Sequence, residues 1–270
     1  MKKMKTIFFR IFLVLIAVYI GACLFIYFFQ EKVLFPDTKL SADHAYEFPQ
    51  KFEERIIPVR DGKKIDGLLF KSDSSKGLIF YVHGIGHNLD WWGQYAKYYT
   101  SLHYDIFFFD YRGYGKSEGK ISSENQIYDD VQDVYSNLKT KYNEDSIVVL
   151  GYSFGTAPAA MLASKNKPRL LVLQAPYYSM LEIGRGRFPI FPTCILRYPL
   201  KTYEFVEKTK VPIVIFHGDN DSTINISAAY KLKKLCKPGD ELIIINKQGH
   251  SQYTANQDYI NKLQKVFSHL

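Results

Sequence analysis

Ser146-Ile147-Val148-Val149-Leu150-Gly151-Tyr152-Ser153-Phe154-Gly155-Thr156-Ala157-Pro158-Ala159-Ala160-Met161-Leu162-Ala163 reads as a strand, a tight turn and a helix. The run from Ser146 to Leu150 has the length and β-branched content of a buried strand, and the small residues after Thr156 suit a helix packed close to it. Between them lies Gly-x-Ser-x-Gly. The two glycines let backbone pass close on both sides of a sharply turned serine, which lifts the Ser153 hydroxyl above the sheet edge at a helix N-terminus. That geometry suits attack on a carbonyl.

A serine nucleophile needs a base, an acid to orient the base, and donors for the oxyanion. On such a turn the expected chain order is serine, acid, histidine. Downstream of Ser153 the histidines are His217, His250 and His269. His269 is penultimate, at the end of a predicted helix, and His217 closes the apolar run Ile213 to Phe216, where a buried structural role is expected. His250 follows Gly249 in a loop after the strand-like Glu241 to Ile245, so it reaches over the sheet edge and is the predicted base. The acid is sought in His217-Gly218-Asp219-Asn220-Asp221-Ser222-Thr223. Asp221 is the choice, with Asp219 as a turn or capping residue, although spacing alone barely separates them.

Together, Tyr81-Val82-His83-Gly84, Asp110-Tyr111-Arg112-Gly113-Tyr114-Gly115-Lys116-Ser117-Glu118-Gly119, the elbow pentapeptide, His217-Gly218-Asp219-Asn220-Asp221 and Gly249-His250 resemble the α/β-hydrolase superfamily. The resemblance is to its membrane-anchored members and its serine aminopeptidase-like hydrolases, and runs from about Gln30 to the C-terminus. In that family two residues separate the second His-Gly from the triad aspartate, which favours Asp221. The resemblance also implies an oxyanion hole made by the amides of Ile85 and Phe154, with His83 bracing its loop. Two departures stand out. After His83-Gly84 the family commonly has a small polar loop, whereas this chain has Ile85-Gly86-His87-Asn88, and Ile224-Asn225 replaces the usual branched residue and proline after the aspartate. His87 is thereby left as a polar group near the site with no assigned role.

Beyond the N-terminal segment about 240 residues remain, enough for one α/β domain with a large core. Apolar runs at Arg55 to Val59, Leu68 to Phe70, Leu78 to Val82, Ile106 to Phe109, Ile147 to Leu150, Leu170 to Leu173, Ile213 to Phe216 and Leu242 to Ile245 predict eight strands. From the third onward they mostly alternate with helical patterns, so the expected sheet is mostly parallel with helices on both faces. Trp91, Trp92, Tyr95, Tyr98 and Tyr99 recur at helical spacing and are expected to form a core stripe. Glu124 to Tyr142 predicts a long helix with Ile127, Val131, Val134 and Leu138 inward and Asp129, Asp130 and Asp133 as solvated surface. Residues 175 to 210 break the pattern with prolines, glycines and aromatics, as a small lid would. Tyr177, Tyr178, Phe188 and Phe191 are expected to line an acyl pocket there. Arg185 and Arg187 read as solvated surface, with recognition of a substrate carboxylate or phosphate as the alternative.

Ile11 through Phe29 carries no charge and is long enough to cross a bilayer. Lys2, Lys3, Lys5 and Arg10 precede it, which predicts a single-pass cell-membrane protein with residues 1 to 10 in the cytoplasm and the domain from residue 30 onward outside. Ile20-Gly21-Ala22-Cys23 resembles a lipoprotein cleavage box, so anchoring through a lipid on Cys23 is the alternative, although the residues after Cys23 are as apolar as those before. The four N-terminal cations are half of the net charge of +8, which weakens any argument from charge for nucleic-acid binding, and none is expected. Cys194 and Cys236 allow at most one bridge outside the membrane segment. No Cys or His cluster has metal-ligand spacing and no glycine-rich loop has a nucleotide-binding form, so no metal or cofactor is expected. The expected activity is cleavage of a small-molecule carboxylic ester, less readily a thioester or amide, through an acyl-enzyme. A serine peptidase and a non-catalytic scaffold are the alternatives.

Overall fold

The computed structural model describes residues 2–36 and 38–270. Helix α1 (Lys2–Leu34) is continuous through the apolar run and beyond it on both sides. Strand β1 (Thr38–Lys39) follows, and then β2 (Phe52–Pro58), β3 (Lys64–Phe70) and β4 (Leu78–Val82). After α2 (Leu89–Trp92) and α3 (Ala96–Thr100) come β5 (Asp105–Phe109), β6 (Tyr114–Gly115) and α4 (Glu124–Leu138). The second half alternates: β7 (Ile147–Tyr152), α5 (Thr156–Lys165), β8 (Leu170–Gln174), α6 (Met180–Arg187), α7 (Thr202–Lys208), β9 (Ile213–Gly218), α8 (Ser227–Lys233), β10 (Glu241–Ile245) and α9 (Gln257–Ser268).

Eight of these strands form one sheet in the order β10-β9-β8-β7-β4-β5-β3-β2. Seven of the eight contain the whole run anticipated from the apolar pattern, and β2 contains Arg55 to Pro58 of the first run and stops before Val59. Pairing is antiparallel for β2–β3 and β3–β5 and parallel from β5 to β10. The reason lies in the residues: β4, β5 and β8 are buried throughout, as strands covered on both faces must be, while edge strand β2 mixes exposed and buried positions. Along β4, Leu78, Phe80 and Val82 enter one core with α4, α5 and α8, and Ile79 and Tyr81 enter the other with α2, α3 and α9. The sheet is therefore the wall between two hydrophobic layers. Its parallel strands deliver the loops bearing His83, Ser153, Asp221 and His250 to one edge.

Local expectations needed correction in three places. The aromatic stripe is not one helix, because Gly93 starts a 3₁₀ turn against the Phe48 ring; Trp92 and Tyr99 are buried but Trp91 is exposed. Asp130 is not solvated: it is 6% exposed and receives two hydrogen bonds from Arg112, while Asp129 and Asp133 hold Arg60. The lid ends near Lys201, since Val206 of α7 is buried in the core beside α5. The pairing left open for Cys194 and Cys236 is not made, and all three cysteines are free.

Candidate active site

The elbow is built from close contacts that only glycine permits. Ser153 has φ +49°, in the left-handed region, a conformation that costs a non-glycine residue on the order of 1–3 kcal/mol. A side chain on Gly155 would collide with the Val82 carbonyl of β4, and one on Gly151 with Ala159 of α5. Strand and helix thus close tightly on the turn and hold the serine in its strained pose. A 3₁₀ turn over Ser153–Gly155 leads directly into α5, so the amides around the serine are those a helix start leaves without internal acceptors.

Ser153 Oγ lies 2.9 Å from His250 Nε2, and His250 Nδ1 lies 2.8 Å from Asp221 Oδ2. A carboxylate only accepts, so Nδ1 carries the proton, Nε2 is the free acceptor, and the serine hydroxyl donates to it. The other Asp221 oxygen accepts the amides of Thr223 and Ile224, each at 2.8 Å. Burial opposes ionisation of Asp221, but His250 and these amides outweigh it and hold the carboxyl below its usual range. Asp219 is exposed and joins the turn through its backbone. His217 is fully buried and donates to the Ile224 carbonyl at 2.9 Å; burial lowers its basicity, so it is a neutral brace behind the aspartate. His83 is also a brace: its Nδ1 is 2.7 Å from the Gly84 carbonyl, and the His83 carbonyl accepts the Tyr111 hydroxyl.

A cavity of about 310 Å³ opens over Ser153 and His250, with Ile85 and Phe154 on its wall. Tyr177 lines it as expected, donating its hydroxyl to the Phe154 carbonyl. Tyr178 faces an adjoining cavity instead and stacks on Tyr203. Phe188 and Phe191 do not reach the serine at all; they line a separate groove against α1. The cavity over the serine is walled in their place by Met180, Ile183, Arg187, Thr223 and Ile224. Helical geometry accounts for the exchange, because α6 presents Ile183 and Arg187 to one side and Gly184 and Phe188 to the other.

Tyr152 was the residue that sequence reasoning passed over. Its hydroxyl donates to the His250 carbonyl at 2.9 Å, tying the loop that carries His250 to the elbow strand. The signal was present, since Tyr152 is the variable residue inside Gly-x-Ser. His87 stacks on Trp91 in a second cavity that shares Ile85 and Tyr152 with the first. Among the described residues no group of His, Cys, Asp and Glu has the arrangement of a metal site.

Residues 73–184 match the family model described as "Serine aminopeptidase, S33". That stretch holds the first His-Gly and the elbow and stops before Asp221 and His250. The chain is 29% identical over 207 residues to alpha/beta hydrolase domain-containing protein 17C of Xenopus tropicalis, covering 73% of this chain and 64% of that protein. It is 29% identical over 205 residues to the 17C protein of Homo sapiens, covering 73% of this chain and 59% of the relative. The chain thus spans under two-thirds of the length of these relatives. Among solved structures it resembles the esterase Pf2001 of Pyrococcus furiosus, with TM-score 0.69 and 17% identity over 87% of this chain and 98% of that one. It also resembles an acetyl xylan esterase from Paenibacillus sp. R4, with TM-score 0.67 and 14% identity over 82% of this chain and 86% of the other. These two likenesses concern the fold. With the eight-stranded sheet, the elbow and these likenesses in hand, the chain has the α/β-hydrolase fold.

Proposed function

We propose that the chain is a membrane-anchored serine hydrolase that cleaves carboxylic esters, and less readily thioesters or amides, through an acyl-enzyme. The observation that carries this reading is the unbroken hydrogen-bonded series from Ser153 through His250 to Asp221 at the floor of a largely apolar cavity. Ser153 attacks the carbonyl while His250 takes its proton at Nε2, and Asp221 stabilises the imidazolium that forms. The amides of Phe154 and Ile85 receive the oxyanion. Collapse of the tetrahedral intermediate expels the alcohol, to which His250 returns the proton. Water then enters by the same route, His250 again acting as base, and releases the acid with Ser153 regenerated.

Helix α1 supplies the anchor in this reading, being long and apolar enough to cross a bilayer. The basic residues before it support a cytoplasmic N-terminus and a hydrolase domain on the outer side. Protease added to right-side-out vesicles should cut the domain, and protease added to inside-out vesicles should not. Labelling by a serine-directed fluorophosphonate, lost in Ser153→Ala, tests the nucleophile, and a scaffold would not label. A series of p-nitrophenyl esters set against p-nitroanilide peptides separates esterase from peptidase.

A further inference from the structure

The groove that contains Phe188 and Phe191 measures about 290 Å³ and is bounded by α1 on one side and the lid on the other. Its position along α1 is informative. Beyond its Phe25 end the Tyr19 hydroxyl donates to the Ile190 carbonyl at 2.8 Å, and the Tyr19 ring stacks on Phe191, a residue of the groove. At its shallow end Gln30 donates to the Ile195 carbonyl and accepts the Arg197 amide, and Arg197 pairs with Glu31 at 2.5 Å. From Tyr19 to Gln30 is about 16 Å of helix, close to the thickness of one hydrocarbon leaflet, roughly half of about 30 Å. The first charges after the apolar run sit at Glu31 and Arg197, where such a leaflet would end.

The lid segment has the composition this depth demands. Residues 188–196 carry no charge, while Arg185 and Arg187 precede them and Arg197 follows. Phe188 and Ile190 are 60% and 70% exposed. Hydrocarbon leaves backbone groups no water to bond, so they must be satisfied internally. Pro189 and Pro192 have no amide hydrogen to satisfy, and the amides of Phe188, Phe191, Ile195 and Leu196 bond within the lid. The Ile190 carbonyl is covered by Tyr19.

We propose that residues 188–196 are immersed beside α1 in the leaflet on the hydrolase side, and that the groove between them holds an acyl chain of a phospholipid from that leaflet. The proposal rests on α1 being a membrane span. The bound chain lies across α6 from Ser153, and so it is a structural lipid that fixes the lid. The cavity over the serine then opens at the lipid–water boundary, where acylated amphiphiles present their ester groups.

The test uses the full chain in vesicles of phosphatidylethanolamine and phosphatidylglycerol, with p-benzoylphenylalanine replacing Val14, Ile190 or Tyr230 one at a time. After illumination, mass spectrometry should find phospholipid adducts at Val14 in α1 and at Ile190 in the lid, and none at Tyr230, which is exposed on α8. Adducts at Val14 without Ile190 would overturn the immersed lid and leave the span intact. Adducts at neither would overturn both, and equal adducts at Ile190 and Tyr230 would overturn the placement as non-specific. For the groove, Leu196→Trp fills it from the lid side and Val33→Trp from the helix side. Whichever variant keeps cooperative unfolding should co-purify severalfold less phospholipid per chain than the parent, and unchanged retention would overturn the acyl-chain site.

Discussion

The elbow and the lid stand on either side of the same cavity and are held by different means. At the elbow, β7 and α5 close on Ser153 through backbone contacts with no space for a methyl group at Gly151 or Gly155. In the lid, α6 has no fully buried residue, and an added Cβ on Gly186 meets nothing within 4 Å. The reactive wall is thus fixed by packing among neighbours in the sheet. The lid segment behind the facing wall is held by hydrogen bonds to a helix more than 150 residues earlier, among them Gln30 to Ile195 and Tyr198 to Glu31. Chemistry should therefore be sensitive to single atoms on one side and tolerant on the other.

The largest expected effect is at the elbow. Ser153→Ala or His250→Ala should lower kcat by roughly 10³-fold or more, with thermal unfolding little changed, because these groups act as one unit. Asp221→Asn should cost somewhat less, and more than Asp219→Asn; the reverse order in a steady-state assay would reassign the acid.

Gly155→Ala should destabilise the protein by about 2–4 kcal/mol, since the new methyl meets the Val82 carbonyl. The paired change Gly186→Ala should instead stabilise α6 by about 0.5 kcal/mol, as alanine replaces glycine in a helix without a clash. Thermal unfolding of both in detergent tests the contrast, which fails if the two shifts have the same sign.

Tyr152→Phe removes one hydrogen bond to the His250 carbonyl, worth about 1 kcal/mol, and should lower kcat about fivefold while KM stays near the parent value. A change in KM alone would make Tyr152 a substrate contact.

The smallest effect concerns pH. The Asp221 carboxyl is held below its usual range in the folded protein, so its ionisation contributes stability above the unfolded value of about 4, lost as pH falls through the lower folded value. The difference in unfolding temperature between parent and Asp221→Asn should accordingly shrink below about pH 4. A gap that widens in acid would contradict the sign.

What the sequence determined by itself was whatever a few adjacent residues encode. Apolar runs located all eight strands of the sheet, most plainly the inner ones, because a strand buried on both faces needs no information from elsewhere. The glycines around Ser153 announced a strained turn for the same reason, and chain order pointed to His250. Tertiary structure decided what depends on distant partners. Asp130 looks solvated in a run of acids until Arg112, eighteen residues away, folds against it. Asp221 and Asp219 lie two positions apart in one loop, and only the path of the loop turns the first toward His250, 2.8 Å away, and the second to solvent. Phe188 and Phe191 are aromatic in either location. Phe188 turns toward α1 because of which face of α6 packs over the cavity, and Phe191, beyond the end of α6, is drawn there by stacking on Tyr19.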